Sequence, residues 1–435
     1  MKSHHVDLLN EAIAPALTRL ALPIMATSLV QMLYNLTDMA WIGRLGAGAV
    51  TAVGSAGMYT WFSQGFAILA RTGGQVKTAH CLGAGENDSA AQYARGALQL
   101  GILFAVLYGL VSLFGASRLI GFFKLNSPEV IAQAEWYVRI ACGLVIFSYL
   151  NAILTGLLTA AGNSRTPFIV NVAGLVFNVV LDPVLIFGIG PFPKMGIRGA
   201  ALATVFGYAL SMVIAFLLLV FTKQKVRIKI KGFHVDSHML TNLFSYGFPS
   251  FVMNALGSFM LTFTNLFLTA YSDTVVAFFG AYFKVQQMIF MTVNGLIQGC
   301  LPVMRFNYSA KQPERLKEAF HFGTQAATVM MIGGTCLLLF LPKQILFLFA
   351  ASESMIKIGV PAMRILSIGL VFCGFSIMIA TYQQAIEKIQ SSMLIHILRQ
   401  GILLVPLMWL FNHMFGINGI WISFPVTEIL VFIVA

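Results

Sequence analysis

The sequence predicts an all-α polytopic membrane protein: twelve transmembrane helices in two six-helix lobes related by a pseudo-two-fold axis. Three observations carry this. Of the 435 residues 58% are hydrophobic and only 10% charged, against about 25% charged in soluble chains, and the mean hydropathy is +0.84. So few polar residues cannot cover the apolar surface of a soluble fold, which excludes a soluble enzyme, a disordered chain and a secreted disulfide scaffold. The apolar runs come in stretches of the length a bilayer requires, about 20 residues. Finally, the second half of the chain repeats landmarks of the first.

Twelve spans follow in order: 15–43, 47–77, 91–115, 129–160, 166–189, 196–222, 241–270, 274–304, 316–341, 354–385, 391–414 and 417–435. The loops alternate in charge. Fifteen of the 27 Lys and Arg fall in the set that includes the N-terminus and the stretch TKQKVRIKIKGFHVDSHMLTN, seven fall in the opposite set, and five lie within spans. The richer set is expected to face the cytoplasm, with both termini inside, in a plasma membrane. The net charge of +12 has the same origin and calls for no nucleic acid. The five Cys are scattered without a CxxC, so neither a zinc site nor a disulfide framework is indicated. No cleavable signal peptide is visible. The last span stops at Ala435 inside an apolar run, so the natural protein is expected to continue.

The basic stretch between the sixth and seventh spans divides the chain into an N-terminal lobe (1–222), a linker (223–240) and a C-terminal lobe (241–435). Pro23 matches Pro249, Gly54 matches Gly280 and Ala84 matches Ala310, all at one offset of 226; MGIRGAALA and FGINGIWIS match at an offset of 220. Six spans per half give parallel repeats, related by an axis along the membrane normal. Such architectures place the substrate between the lobes and work by rocking.

An ionisable residue inside a span costs about 2.5–3.5 kcal/mol on insertion scales. Asp38, Asp182 and Glu428 lie well inside spans. At about 1.5 Å per residue, Asp38 lies about 9 Å below the outer end of the first span. Asp182 and Thr204, on the fifth and sixth, each lie about 12 Å below theirs. Tyr34 precedes Asp38 by four residues and Asn178 precedes Asp182 by four, so each pair shares a helix face. Tyr34, Asn35, Asp38, Asn178, Asp182 and Thr204 are therefore expected in one network, whose two carboxylates are suited to share a proton. Pro23 permits a kink in the first span, and Pro183 deprives the Val179 carbonyl of its helical donor. Lys284 is a lone cation in the eighth span that can snorkel or serve the substrate. Glu428 is either a docking group for cationic compounds or the partner of Lys284 or Arg399. Met32, Met253 and Met260 are candidate cavity residues, flexible thioethers being suited to varied apolar ligands.

The first span, LPIMATSLVQMLYNLTDMAWIGRLGAGAVTAVG, with the loop LGAGEND, the fifth span NVAGLVFNVVLDPVLIFG and the start of the sixth, GIRGAALAT, resembles the multidrug and toxic compound extrusion (MATE) transporters over the whole chain, in order and including the 6+6 duplication. Within that family it resembles the DinF-like branch, marked by an acidic pair in the N-terminal lobe. It departs from the NorM-like branch: Gly257 stands eight residues after Pro249 where that branch has a Glu, and the tenth span holds no acid. The resemblance implies a secondary antiporter, not an enzyme. It would export amphipathic, often cationic drugs and toxic organic cations in exchange for H⁺, with Na⁺ at Asp38, Asn178, Asp182 and Thr204 as the alternative. It would work as a monomer in the bilayer, without a cofactor or resident metal. It also implies that Tyr34, Asp38, Asn178, Asp182 and Thr204 form the ion-sensitive site and that the first span bends at Pro23. Two other readings fit less well. A lipid-precursor flippase commonly has more helices and a basic cavity. An intramembrane aspartyl protease has a GxGD context, where this chain has NLTDMA and VVLDPV. No GxxxxGK[ST] loop is present, so an ion gradient must supply the energy.

Overall fold

The computed structural model describes residues 11–122, 127–221, 237–348 and 353–435, and among them every regular element is helical. The first half holds α1 (Ile13–Gly43), α2 (Ala47–Gly83), α3 (Asn87–Gly121), α4 (Pro128–Ala141), α5 (Ile146–Ala160), α6 (Arg165–Phe187) and α7 (Ile197–Phe221). The second holds α8 (Ser237–Thr269), α9 (Asp273–Ser309), α10 (Pro313–Phe340), α11 (Pro342–Leu348), α12 (Glu353–Ser367), α13 (Gly369–Ala385), α14 (Ile389–Ile397), a π-helical turn (Leu398–Ile402), α15 (Leu404–Phe415) and α16 (Ile417–Val434). Part of the expected linker, 223–236, lies outside the described residues; 237–240 begin α8.

These elements make the twelve spans. Three of the expected continuous helices are interrupted. The fourth is α4 and α5, bent by 42°. Gly143, at the bend, lets its carbonyl approach α3, where a Cβ on Gly109 would come within 2.8 Å of it. The tenth span is α12 with α13, and the eleventh is α14 with α15, joined by the π turn. Among the described residues, ten stretches qualify as membrane-crossing by length and hydropathy, or eleven with the bent pair. The helix outside that count is α2, which is 37 residues long but carries Arg71, Gln75, Lys77 and His80 in its second half. Its polar groups turn into the protein rather than the lipid: Gln75 is 2% exposed and Thr78 fully buried.

The described chain forms two compact units. One comprises Ala26–Phe251, and the other Ala12–Met25 with Val252–Ala435. Both α1 and α8 are thus shared, and each division falls two residues past that helix's internal proline, Pro23 or Pro249. Close approaches fix these helix ends within each unit. Cβ atoms on Gly73 and Gly247 would meet the carbonyls of Leu243 and Leu69 at 2.2 and 2.0 Å. In the other unit, Cβ atoms on Gly295 and Gly299 would meet the Cα atoms of Met25 and Ala21 at 2.7 and 2.9 Å. Small residues at such crossings let membrane helices touch through their backbones.

The duplication extends to backbone conformation. Gly85, after α2, has φ +82°, and its counterpart at the same offset in the second half, Lys311, takes the same left-handed turn at φ 56°. Glu387 is also left-handed, φ 67°, a conformation that costs a non-glycine residue about 1 kcal/mol or more. Arg305 offsets that cost: wholly buried, it pairs with the Glu387 carboxylate and donates from Nη1 to the Ala385 carbonyl at 2.6 Å.

In the first unit, α6 and α7 cross where Gly174 faces Gly207 and Ser211. A Cβ on Gly174 would stand 1.9 Å from Ser211 Oγ and 2.6 Å from the Gly207 carbonyl. A serine hydroxyl rotates away easily, but the backbone carbonyl of a packed helix does not. Gly174→Ala is therefore expected to separate the two helices at a cost of about 1–3 kcal/mol. The check is the melting temperature of purified protein. An unchanged melting temperature would show that the crossing relaxes freely.

Candidate functional site

The site is built on three helices of the first unit. On α1, Gln31, Tyr34 and Asp38 recur at i, i+3 and i+7 and share a face. On α6, Asn171, Asn178 and Asp182 recur at i, i+7 and i+11, again one face. On α7, Thr204, Tyr208 and Ser211 do the same. The glycines at the α6–α7 crossing bring the last two faces close enough for their polar groups to meet across a small gap.

That gap is a cavity of about 20 Å³, room for a water molecule. Its polar lining comes from Gln31 and Tyr34 on α1, Asn171 and Asn178 on α6, and Thr204 and Tyr208 on α7. Thr204 Oγ1 donates to the Ala200 carbonyl at 3.1 Å. A hydroxyl has one hydrogen, so across their 3.0 Å contact it is the Tyr34 hydroxyl that donates to Thr204 Oγ1. Tyr208 and Gln31 are joined by a side-chain hydrogen bond. Ser211 closes one end by donating to the Val170 carbonyl at 3.1 Å, and Asn151 reaches in from α5 to Asn171 Oδ1 at 3.0 Å.

The acids lie beside this cavity. Asp182 is fully buried, and neither carboxylate oxygen has a hydrogen-bond partner among the described residues. Asn178, one turn before it, is 2% exposed, and both its side-chain amide atoms are also unpartnered. Asp38 is half-buried, with Oδ1 buried and unpartnered. The charges of Asp38 and Asp182 act on one another, and Tyr137 on α4 is within the electrostatic reach of both. A buried polar atom without a partner forfeits about 1–3 kcal/mol. Five such atoms on three neighbouring side chains form a set of groups suited to hold a proton, a water or a cation.

Of the residues singled out in the sequence, Tyr34 and Thr204 are in contact, and Asn178, Asp38 and Asp182 adjoin them. Asn35 is not drawn in. It is exposed, because it lies about 100° round α1 from Tyr34 and so leaves the face that carries Gln31, Tyr34 and Asp38. Met32 and Met260 are half-buried, and the side chain of Met253 lies outside the described residues. Lys284 on α9 is exposed; Glu428 pairs instead with Arg399, Nε to Oε1, at 3.2 Å. α1 runs unbroken through Pro23. Sequence reasoning missed Gln31, Asn171, Tyr208, Ser211 and Tyr137. The seven-residue spacing of Asn171 and Asn178 was the available signal. Among the described residues, no group of three or more His, Cys, Asp and Glu suits a metal ion.

Comparison with known proteins bears on the family and the fold. The MatE family model matches twice, over residues 23–184 and 249–410, two stretches that stand at the same offset as the sequence landmarks. A FAD transporter of Shewanella oneidensis is 27% identical over 99% of this chain and 95% of its own length. The multidrug export protein MepA of Staphylococcus aureus is 24% identical over 95% of this chain and 90% of its own. Two solved structures superpose with TM-scores of 0.92. One is the outward-facing conformation of a multidrug resistance MATE family transporter of the MOP superfamily, at 24% identity, covering 100% of this chain and 96% of that one. The other is a MOP superfamily transporter from Pyrococcus furiosus described as having a binding pocket of reverse polarity, at 25% identity with the same coverage. With the family model spanning most of both halves and the twelve-helix fold matched throughout, this multi-pass membrane chain belongs to the MatE family, the MATE transporters.

Proposed function

We propose that the protein is a multidrug efflux antiporter exporting amphipathic, often cationic compounds in exchange for protons, by alternating access of the rocker-switch type. The observation that carries the reading is Asp182: a fully buried acid with neither oxygen partnered, beside a second acid and a water-sized cavity. A carboxyl group so placed has no structural bond to lose when it takes up or releases a proton. Asp38, half-buried, connects it to solvent. Tyr34, Asn178 and Thr204 line the cavity beside the pair and orient its groups. The name of the MepA relative supports drugs as the cargo.

In this reading the cationic compound is held while the pair carries negative charge, and protonation from outside discharges the pair and releases the compound. Pro23 supplies the bend in α1 that accompanies protonation. The protein works as a monomer in the cytoplasmic membrane, with its basic loops and both termini in the cytoplasm. Sodium is the competing ion. Asn178, Thr204 and the acids offer it oxygens, but Tyr34 already donates to Thr204, an arrangement suited to a proton network.

A second cargo class has support of its own. The Shewanella relative is named for FAD, and Arg71 stands in the middle of α2 with no acid within ion-pair distance among the described residues, its stem lying over Gly156. An unpaired guanidinium at that depth suits an anionic compound.

Proteoliposomes with pH and Na⁺ gradients imposed separately test the main reading. A pH gradient alone, acidic on the side to which the cation is exported, is expected to drive uphill movement of a fluorescent organic cation. Uphill movement under a Na⁺ gradient with no pH difference would replace the proton by sodium.

A further inference from the structure

The second unit contains a polar cluster outside the acidic site. Arg399 projects from the π-helical turn Leu398–Ile402, whose i→i+5 bond runs from Leu403 N to the Leu398 carbonyl at 3.0 Å. Single π turns inside helices recur at functional sites, because they re-aim side chains that an α-helix would place elsewhere. Here the turn points the guanidinium at α16, where Glu428 Oε1 receives its Nε at 3.2 Å. Cys373 on α13 shares a hydrogen bond with Glu428, and the ring of Phe290 on α9 lies 5.9 Å from the guanidinium carbon.

The pair is engaged side-on and leaves much unused. Arg399 Nη1, Glu428 Oε2 and His396 Nδ1 are all buried without a partner among the described residues. Arg399 is 8% exposed and His396 6%. A buried ion pair retained only as a staple gains from satisfying every donor and acceptor, since each bare atom weakens it. The cluster is also reachable: the Glu428 side chain keeps 17% of its surface, and Gly401, in the same π turn, faces open space apart from Leu256 Cδ2 at 3.9 Å.

We propose that Arg399, Glu428 and His396 form a polar subsite of the second unit that takes an uncharged hydrogen-bonding group of the transported molecule, above all a carboxamide. The argument is electrostatic. Arg399 and Glu428 cancel, so a charged ligand group gains from one what it loses to the other. A neutral group that carries both an acceptor and a donor, as an amide does, satisfies Arg399 Nη1 through its carbonyl and Glu428 Oε2 through its N–H. Phe290 provides an aromatic face beside them. The subsite rests on the reading of the protein as an exporter of amphipathic compounds, and it would select among them by a feature the acidic pair of the first unit cannot sense.

The test is equilibrium binding of procainamide and procaine to the purified full chain in nanodiscs. The two differ by an amide N–H in place of an ester oxygen. Wild type is expected to bind procainamide about tenfold more tightly, the worth of one hydrogen bond to a charged group. In the double variant Arg399→Met/Glu428→Leu that ratio should fall to about one. The two are replaced together because either charge left alone would be buried unpaired. Equal affinities in wild type would mean that the bare atoms hold water only, and a ratio retained in the double variant would place amide recognition elsewhere; either overturns the proposal. Should the double variant not give monodisperse protein, Arg399→Gln/Glu428→Gln replaces it, again with no charge left unpaired. Neutral groups there should lower the ratio several-fold, and an unchanged ratio overturns the proposal equally. The ratio is read without any gradient, so a failure of proton coupling in proteoliposomes leaves it standing, and its own failure leaves proton coupling untouched.

Discussion

Asp38→Asn is expected to abolish drug resistance in cells while the protein still reaches the membrane in normal amount. The substitution keeps the shape of the side chain and its capacity to hydrogen-bond, and removes its ability to ionise. Asp38 is the half-buried member of the acidic pair, so in the proposed mechanism it is the group through which Asp182 exchanges protons with solvent. Without it Asp182 is enclosed and loses its partner charge. The fall should be to the level of cells without the transporter, because antiport cannot be driven when the coupling ion has no binding group. Tyr34→Phe should do less, since it removes one hydrogen bond, to Thr204, worth about 1 kcal/mol. The check is a dye-efflux assay with membrane abundance measured in the same cells. Full efflux by Asp38→Asn would remove the acidic pair from the coupling mechanism.

Binding of a fluorescent organic cation to the purified protein is expected to weaken as the pH is lowered from about 8 to about 5, the range over which a shared carboxylate pair in a poor dielectric takes up its protons. The sign follows from charge. At the upper end the pair is negative and attracts the cation; each proton taken up removes one negative charge and the attraction with it. The coupling is reciprocal, so the factor by which protonation weakens the cation is the factor by which the cation weakens protonation. A tenfold change corresponds to about 1.4 kcal/mol of coupling. Asp182→Asn should flatten the dependence, leaving only the residual effect of Asp38. Affinity constant over that range would exclude direct competition at the acidic pair and move the cation to another part of the protein.

Much of this protein could be read from its residues in order. The scarcity of charge forces the chain into a bilayer, and a bilayer forces helices, because no backbone group can be left unpaired there. The recurrence of Pro23, Gly54 and Ala84 at one common offset revealed the duplication, and the family match falls on the same offset. Asp38 and Asp182 stood out because an intramembrane acid is costly enough to be conspicuous. Their neighbours did not. Gln31, Asn171 and Tyr208 carry no charge, cost less inside a span than an acid does, and look alike whether they face lipid, protein or cavity.

The tertiary structure decided what sequence order leaves open, above all the rotation of each helix about its axis and its contacts across the chain. It drew Asn171 and Tyr208 into the site and left Asn35 outside it. It gave Glu428 to Arg399 rather than Lys284, since a π turn unwinds the helix locally and turns the guanidinium toward α16. The bend between α4 and α5 and the sharing of α1 and α8 between two units were equally hidden. These follow from close approaches at Gly143, Gly247 and Gly295, and whether a glycine is a tight crossing or an ordinary small residue depends on which backbone lies opposite. Hydropathy and spacing are properties of one helix, whereas a site made by three helices exists only once packing has fixed which faces meet.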